Sequence, residues 1–314
     1  MYRTRVLRGI ITNLRSFKTS TSLQSAHKIS QKTSINTINE LYKQNSKLSV
    51  LTAHDYISGK IANDSDVDIV LIGDSLAMVA LGYKDTNEIP FDEFLYHCKS
   101  VSRAVSKSFL IADLPFGSYE SSISKAIESS VQLISKGRVN SVKLEGGIEI
   151  TPTIKKLTDL GIPVCGHIGL TPQRLNSLGG FKVQGRSVDN ALKLIETAKQ
   201  LENAGCFAMV LEAIPSELAK IITENISIPT IGIGAGPYTS GQVLVQADLL
   251  GLGGKDSHVP KFVKQYLNGY GASVEAVKNY VREVKDVKFP VVGKHTYKIN
   301  ENVLEELEKK LEKQ

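Results

Sequence analysis

The 314-residue chain contains no tryptophan, three cysteines and 6% aromatic residues. The missing tryptophan excludes nothing, but the cysteines are informative. Cys98, Cys165 and Cys206 are odd in number, far apart, and form no C-x-x-C pair. That argues against a disulfide framework and against a thiolate zinc site, and reads as small buried hydrophobes in a reducing compartment. No apolar run reaches the roughly 18 residues that a membrane span needs. Residues 1–39 lack Asp and Glu altogether while holding Arg3, Arg5, Arg8, Arg15, Lys18, Lys28 and Lys32. Taking that +7 from the formal net charge of +6 leaves −1 for residues 40–314. The basic balance therefore belongs to the leader and gives no argument for nucleic-acid binding, which needs a basic face on the folded domain.

The leader, residues 1–35, is rich in Arg, Ser and Thr and places Val6, Leu7, Ile10, Ile11 and Leu14 at helical spacing. This is the pattern of a mitochondrial transit peptide; it predicts import into the matrix and a mature start near residues 20–40. A basic tail without an address is the alternative. The whole chain, 41% hydrophobic and 22% charged, has the composition of an ordinary globular enzyme.

What the chain does have is a repeated grammar. Ile69-Val70-Leu71-Ile72 is an apolar run, mostly β-branched, that stops at Gly73-Asp74-Ser75. Such a run reads as a parallel strand buried on both faces. The same sequence of apolar strand and terminal acid recurs at Phe109 to Asp113, Ser141 to Glu145, and Phe207 to Glu212. Further strands are expected at 48–53, 163–167, 229–232 and 243–249. Helices are expected near 38–44, 91–106, 121–136, 149–160, 188–204 and 215–224. Eight strands alternating with helices point to an α/β chain folded as a (β/α)8 barrel over residues 36–290. An open doubly wound sheet is the rival, but its G-x-G-x-x-G fingerprint should follow the first strand. Gly232, Gly234 and Gly236 come late and at another spacing, so they read as a tight turn that lets backbone approach a ligand. Residues 261–290 look helical. Residues 291–314 form an extension whose charged helix, Glu301 to Gln314, carries Leu304, Leu307 and Leu311 on one side.

In a barrel of this kind the acids at the strand ends meet at one mouth. Asp74 and Asp113 end neighbouring strands, and two carboxylates brought together repel unless a cation or proton joins them. Oxygen ligands with few histidines favour a hard divalent ion such as Mg²⁺, and Glu145 could complete its shell directly or through water. An N-cap or a salt bridge is the bland reading of any one of these acids. Lys143 lies two residues before Glu145, so both side chains leave one face of the strand. A lysine pointing inward needs a partner or a use, and an anionic substrate carboxylate supplies one. Glu212 follows Met209-Val210-Leu211, an apolar frame that suits a general base taking a carbon-bound proton. His167, set between glycines at the end of its strand, reads as a substrate contact or as a hydrogen-bonded core histidine.

These segments carry a resemblance. Thr52-Ala53-His54-Asp55-Tyr56, Gly73-Asp74-Ser75, Ala112-Asp113-Leu114-Pro115-Phe116, Val142 to Gly147, Val164 to Gln173, Gly180 to Arg186, Leu211 to Pro215 and Ile231 to Gly236 resemble, in order, the ketopantoate hydroxymethyltransferase family. The resemblance implies a TIM barrel of the phosphoenolpyruvate/pyruvate superfamily type, assembled as a homo-oligomer, decameric in several members. It implies transfer of a one-carbon unit from 5,10-methylenetetrahydrofolate to 3-methyl-2-oxobutanoate, giving 2-dehydropantoate for pantothenate and coenzyme A. By motif, Asp74 and Asp113 would bind Mg²⁺, with Glu145 in its shell. Ser75 and Lys143 would hold the oxoacid carboxylate, and Glu212 would accept the proton. His54 stands where many members have tyrosine, and Gly253 to His258 is longer than the usual link. Two rivals remain on sequence grounds: a metal-dependent carbon–carbon lyase of the same superfamily, and a non-catalytic mitochondrial scaffold. The scaffold would be favoured by loss of an acid, and all the matched acids are present.

Overall fold

The computed structural model describes residues 32–180, 182–254 and 257–313. The leader reading falls almost wholly on residues 1–31, outside them. Eight strands form one closed, all-parallel barrel in chain order: β1 Leu48–Thr52, β2 Ile69–Ile72, β3 Phe109–Asp113, β4 Ser141–Glu145, β5 Val164–Gly169, β6 Ala208–Glu212, β7 Thr230–Ile233 and β8 Gly241–Leu244. β1 pairs with both β2 and β8, which closes the ring.

The strand pleat sorts side chains into two sets. Inward positions along the lower part of the strands hold Leu48, Val50, Ile69, Leu71, Phe109, Ile111, Cys165, Ala208 and Val210, which form one apolar cluster. Outward positions such as Val70, Ile72, Leu110, Ala112, Val142 and Leu144 join a larger cluster with the surrounding helices. Helix Phe91–Ala104 shows how a helix joins it. Phe94, Cys98 and Val101 recur at a spacing of three to four, share one face, and are fully buried. Burying Phe94 alone is worth roughly 2–3 kcal/mol. The three cysteines are free and buried, as their spacing suggests.

The structure departs from expectation in three places. A helix, Tyr56–Asp64, fills the β1–β2 connection. Asp55 caps it by accepting from the Ser58 backbone N–H, but Gly59 interrupts the pattern that would announce it. Strand β8 is Gly241–Leu244 rather than 243–249, and Gln246–Leu249 is a short helix. The reason is the β7–β8 link: residues 234–240 return the chain without the helix that a parallel crossover ordinarily carries. Finally, Gly234 and Gly236, both at positive φ, face the protein itself. A Cβ on Gly234 would come within 2.8 Å of Phe262, and one on Gly236 within 2.3 Å of the Ser216 Cβ. That glycine run makes room for packing at these two positions.

The helix in the region 261–290 is Gly269–Lys285, and it buries only Gly269. The terminal helix Glu301–Leu311 buries nothing and leaves Leu304, Leu307 and Leu311 exposed. Among the described residues no helix is long and apolar enough to cross a membrane.

Candidate active site

Register builds the site. Asp113 at the end of β3 is the partner of Lys143 on β4, and Glu145 is the partner of His167 on β5. All four side chains leave inward positions one or two pleats above the apolar cluster. Asp74 follows β2, and Glu212 ends β6, the strand opposite in an eight-stranded ring. Asp74, Asp113, Lys143, Glu145 and His167 are each at most 4% exposed. The Glu212 side chain is 15% exposed and so marks the edge open to a ligand.

Lys143 is the hub. Its Nζ lies 3.2 Å from Asp113 Oδ1, 3.4 Å from Glu145 Oε1 and 3.0 Å from His167 Nδ1. Burial alone would drive its proton off, but Asp113, Glu145 and Asp74 outweigh burial and hold the ammonium charged above its usual range. His167 spans two acids: Nδ1 is 3.2 Å from Glu145 Oε1, and Nε2 is 3.2 Å from Glu212 Oε2, off the line of a hydrogen bond. When neutral, its Nδ1 accepts from Lys143; when charged, it forms an ion pair with Glu145. Burial and Lys143 push its pKa down, yet Glu145 and Glu212 prevail and hold it at about 9. Glu145 feels the converse. Burial favours its acid form, but His167 and Lys143 take its pKa down to about 2.

Asp74 is different. Burial first, then repulsion from Asp113 and Glu145, raise its pKa well above the ordinary carboxylate range. Its backbone N–H donates to Asp113 Oδ2 at 3.0 Å. Asp113 is raised too, by burial, with Lys143 opposing. Asp113 Oδ1 is buried and accepts no hydrogen bond. Two buried carboxylates that repel each other, with the Lys143 ammonium beside Asp113 Oδ1 as the positive charge nearest them, fit a hard divalent cation that keeps other positions for water and substrate. No three His, Cys, Asp or Glu side chains among the described residues converge on one point. Glu145 is the most fully engaged of the three acids: Oε1 faces Lys143 and His167, and Oε2 accepts from the Gln173 backbone N–H at 3.1 Å. Glu212, expected across the barrel from the acids, does lie opposite Asp74's strand, but His167 links it to Glu145 from the side. Ser75 begins the short helix Leu76–Val79 without using its hydroxyl as a cap, which leaves that hydroxyl for a ligand.

Two residues of the site carry no chemical signal in the sequence. Gln173 reaches Asp74 Oδ2 at 2.8 Å across 99 positions, and the Tyr119 hydroxyl donates to Gln173 Oε1 at 2.7 Å. Pro172 opens a single 3-10 turn, Pro172–Arg174, but a glutamine in that turn and a tyrosine in a loop announce no partner.

The model of the family described as ketopantoate hydroxymethyltransferase matches residues 32–292. A 3-methyl-2-oxobutanoate hydroxymethyltransferase of Emericella nidulans is 49% identical over 279 residues, covering 89% of this chain and 80% of its own length. One of Thermoanaerobacter sp. is 48% identical over 260 residues, covering 83% and 94%. Among solved structures, phosphonopyruvate hydrolase in complex with oxalate and Mg²⁺ superposes with a TM-score of 0.55 at 12% identity, covering 88% of this chain and 96% of that one. 2,3-Dimethylmalate lyase, a PEP mutase/isocitrate lyase superfamily member, gives 0.54 at 13%, covering 88% and 96%. At such identities the two structures speak for the barrel fold alone.

Proposed function

Because the chain belongs to the ketopantoate hydroxymethyltransferase family and is a hydroxymethyltransferase, we propose that it moves the one-carbon unit of 5,10-methylenetetrahydrofolate onto 3-methyl-2-oxobutanoate. The product is 2-dehydropantoate, an intermediate toward pantothenate and coenzyme A. The observation that supports this most is a buried ammonium, Lys143, walled by acids at the barrel mouth, with the partly exposed Glu212 facing it through His167.

Each residue has a task that follows from its surroundings. Lys143, charged at neutral pH, and the free hydroxyl of Ser75 bind the oxoacid carboxylate. Asp74 and Asp113 hold Mg²⁺, and Glu145 fixes Lys143 and His167 from behind. The cation, when bound, supplies the positive charge that offsets the second negative charge of an enolised 2-oxoacid. His167 orients Glu212 against the oxoacid. Glu212 takes the C3 proton, and the electron pair left on carbon attacks the folate methylene. Both C–N bonds of the methylene break, one replaced by the new C–C bond and the other by the oxygen of one water, and the two folate nitrogens take up the C3 proton and one proton of that water.

The first test is formation of 2-dehydropantoate from the two substrates, with and without Mg²⁺. The sharper test is Glu212→Gln. It retains oxoacid and metal binding but loses exchange of the C3 proton into heavy water by at least about 10²-fold, the contribution of a positioned base. Wild-type exchange in that variant removes Glu212 from the role.

Residues 1–35 direct the chain to the mitochondrial matrix in this reading, on the strength of an acid-free, basic, amphipathic leader. The partners are small molecules, with a homo-oligomer as the working form and neither nucleic acid nor membrane involved. Cell fractionation that finds the full-length chain in the cytosol alone refutes the address.

A further inference from the structure

The β5 strand ends at Gly169, whose φ of +97° turns the chain beside β6. A Cβ there would meet the Glu212 carbonyl oxygen at 2.3 Å, and the Leu170 N–H donates to that same oxygen at 2.9 Å. The turn sends Thr171-Pro172-Gln173 back over the mouth, where Gln173 is 3% exposed. Every polar group of that side chain is engaged. Nε2 donates to Asp74 Oδ2 at 2.8 Å and to the Leu114 carbonyl at 2.9 Å, and Oε1 lies 2.7 Å from the Tyr119 hydroxyl, whose one proton it shares with the Glu145 carbonyl at 2.8 Å. Two acceptors facing Nε2 fix which way the amide points. The backbone N–H of the same residue holds Glu145 Oε2.

We propose that Gln173 is a positioning residue for the cation site: it ties down one oxygen of Asp74 and one of Glu145, so that Asp74 presents its other oxygen beside Asp113. This rests on the reading of Asp74 and Asp113 as the cation-holding pair. The logic is a chain of single tethers. Gln173 takes Asp74 Oδ2 and the Asp74 N–H takes Asp113 Oδ2, which leaves Oδ1 of Asp74 for the cation and Oδ1 of Asp113 beside the Lys143 ammonium at 3.2 Å. Tyr119 in turn sets the amide. Partners behind a metal ligand of this kind are worth 10–100-fold in affinity.

The experiment is Mn²⁺ binding to the full chain without substrates, read by electron paramagnetic resonance of the free ion. Gln173→Met keeps the side-chain volume and loses the amide; it weakens Mn²⁺ binding by about 10-fold or more. Thermal unfolding in chelator reports whether the variant is folded. Tyr119→Phe, which keeps the ring and removes the hydroxyl shared by Gln173 Oε1 and the Glu145 carbonyl, weakens binding by a smaller factor and keeps the test decisive if Gln173→Met fails to fold. Asp74→Asn serves as the control. Binding lost in Asp74→Asn but of wild-type strength in folded Gln173→Met, or in Tyr119→Phe where Gln173→Met does not fold, overturns the positioning role and leaves the cation reading intact. Wild-type protein that binds no Mn²⁺, or an Asp74→Asn variant that binds it normally, overturns both.

Discussion

Along β3 the inward side chains run Phe109, Ile111, Asp113; along β6 they run Ala208, Val210, Glu212. The lower two thirds of the barrel interior are apolar, and the last pleat is ionic. The same alternation of the strand makes both regions, so nothing in the backbone distinguishes them. The lower region gains stability by removing apolar surface from water. The upper region gathers buried carboxylates and cations whose desolvation each costs several kcal/mol before pairing. Between them, under Lys143, lies a cavity of about 10 Å³ lined by groups such as Leu71, Ile111 and Val210. The division of labour is clear: the floor holds the fold, and the rim stores charge that chemistry can use.

The comparison can be broken most violently at Lys143. Lys143→Met removes the one ammonium that Asp113 and Glu145 share and leaves two buried carboxylates without it. The expected loss is about 3–5 kcal/mol in urea unfolding, the cost of breaking a buried ion pair from one side. A variant as stable as wild type would mean that the rim charges are not paired as described.

His167 sharpens the comparison through pH. Its folded pKa, at about 9, is above the ordinary histidine value of 6.5. A raised base contributes stability that is fully present below pH 6.5 and is lost as pH rises through 9. Wild type should therefore exceed His167→Gln by on the order of 3 kcal/mol near pH 6, with the gap narrowing by pH 9. Unfolding in chelator across that range measures it. A gap that widens with pH would reverse the assignment of His167 as the charged partner of Glu145 and Glu212.

The smallest effect belongs to the floor. Ile111→Val deletes one buried methylene and should cost about 1 kcal/mol, while turnover per folded molecule stays at the wild-type level. A turnover loss there without a stability loss would mean that the floor shapes the site and not merely the fold.

The acids at strand ends were legible because strand, stop and carboxylate are local patterns. The pairing of Lys143 with Glu145 on one face was legible for the same reason, since a pleat repeats every two residues. The misplaced β8 and the unannounced helix Tyr56–Asp64 had a common cause. Local patterns assumed a standard βα unit, whereas the chain spends seven residues, 234–240, between β7 and β8 and hides a capped helix behind Gly59. Gln173 and Tyr119 had no pattern to show, because a hydrogen bond between loops depends on where both loops return.

The chain by itself determined the strands, their inward faces and which of those faces end in charge, because these depend on neighbours one to four residues away. The tertiary structure decided the register that sets Asp113 beside Lys143 and Glu145 beside His167. It also decided the turn at Gly169 that carries Gln173 onto Asp74. Those contacts join segments dozens of residues apart. Their geometry is fixed only when the ring closes and its core packs.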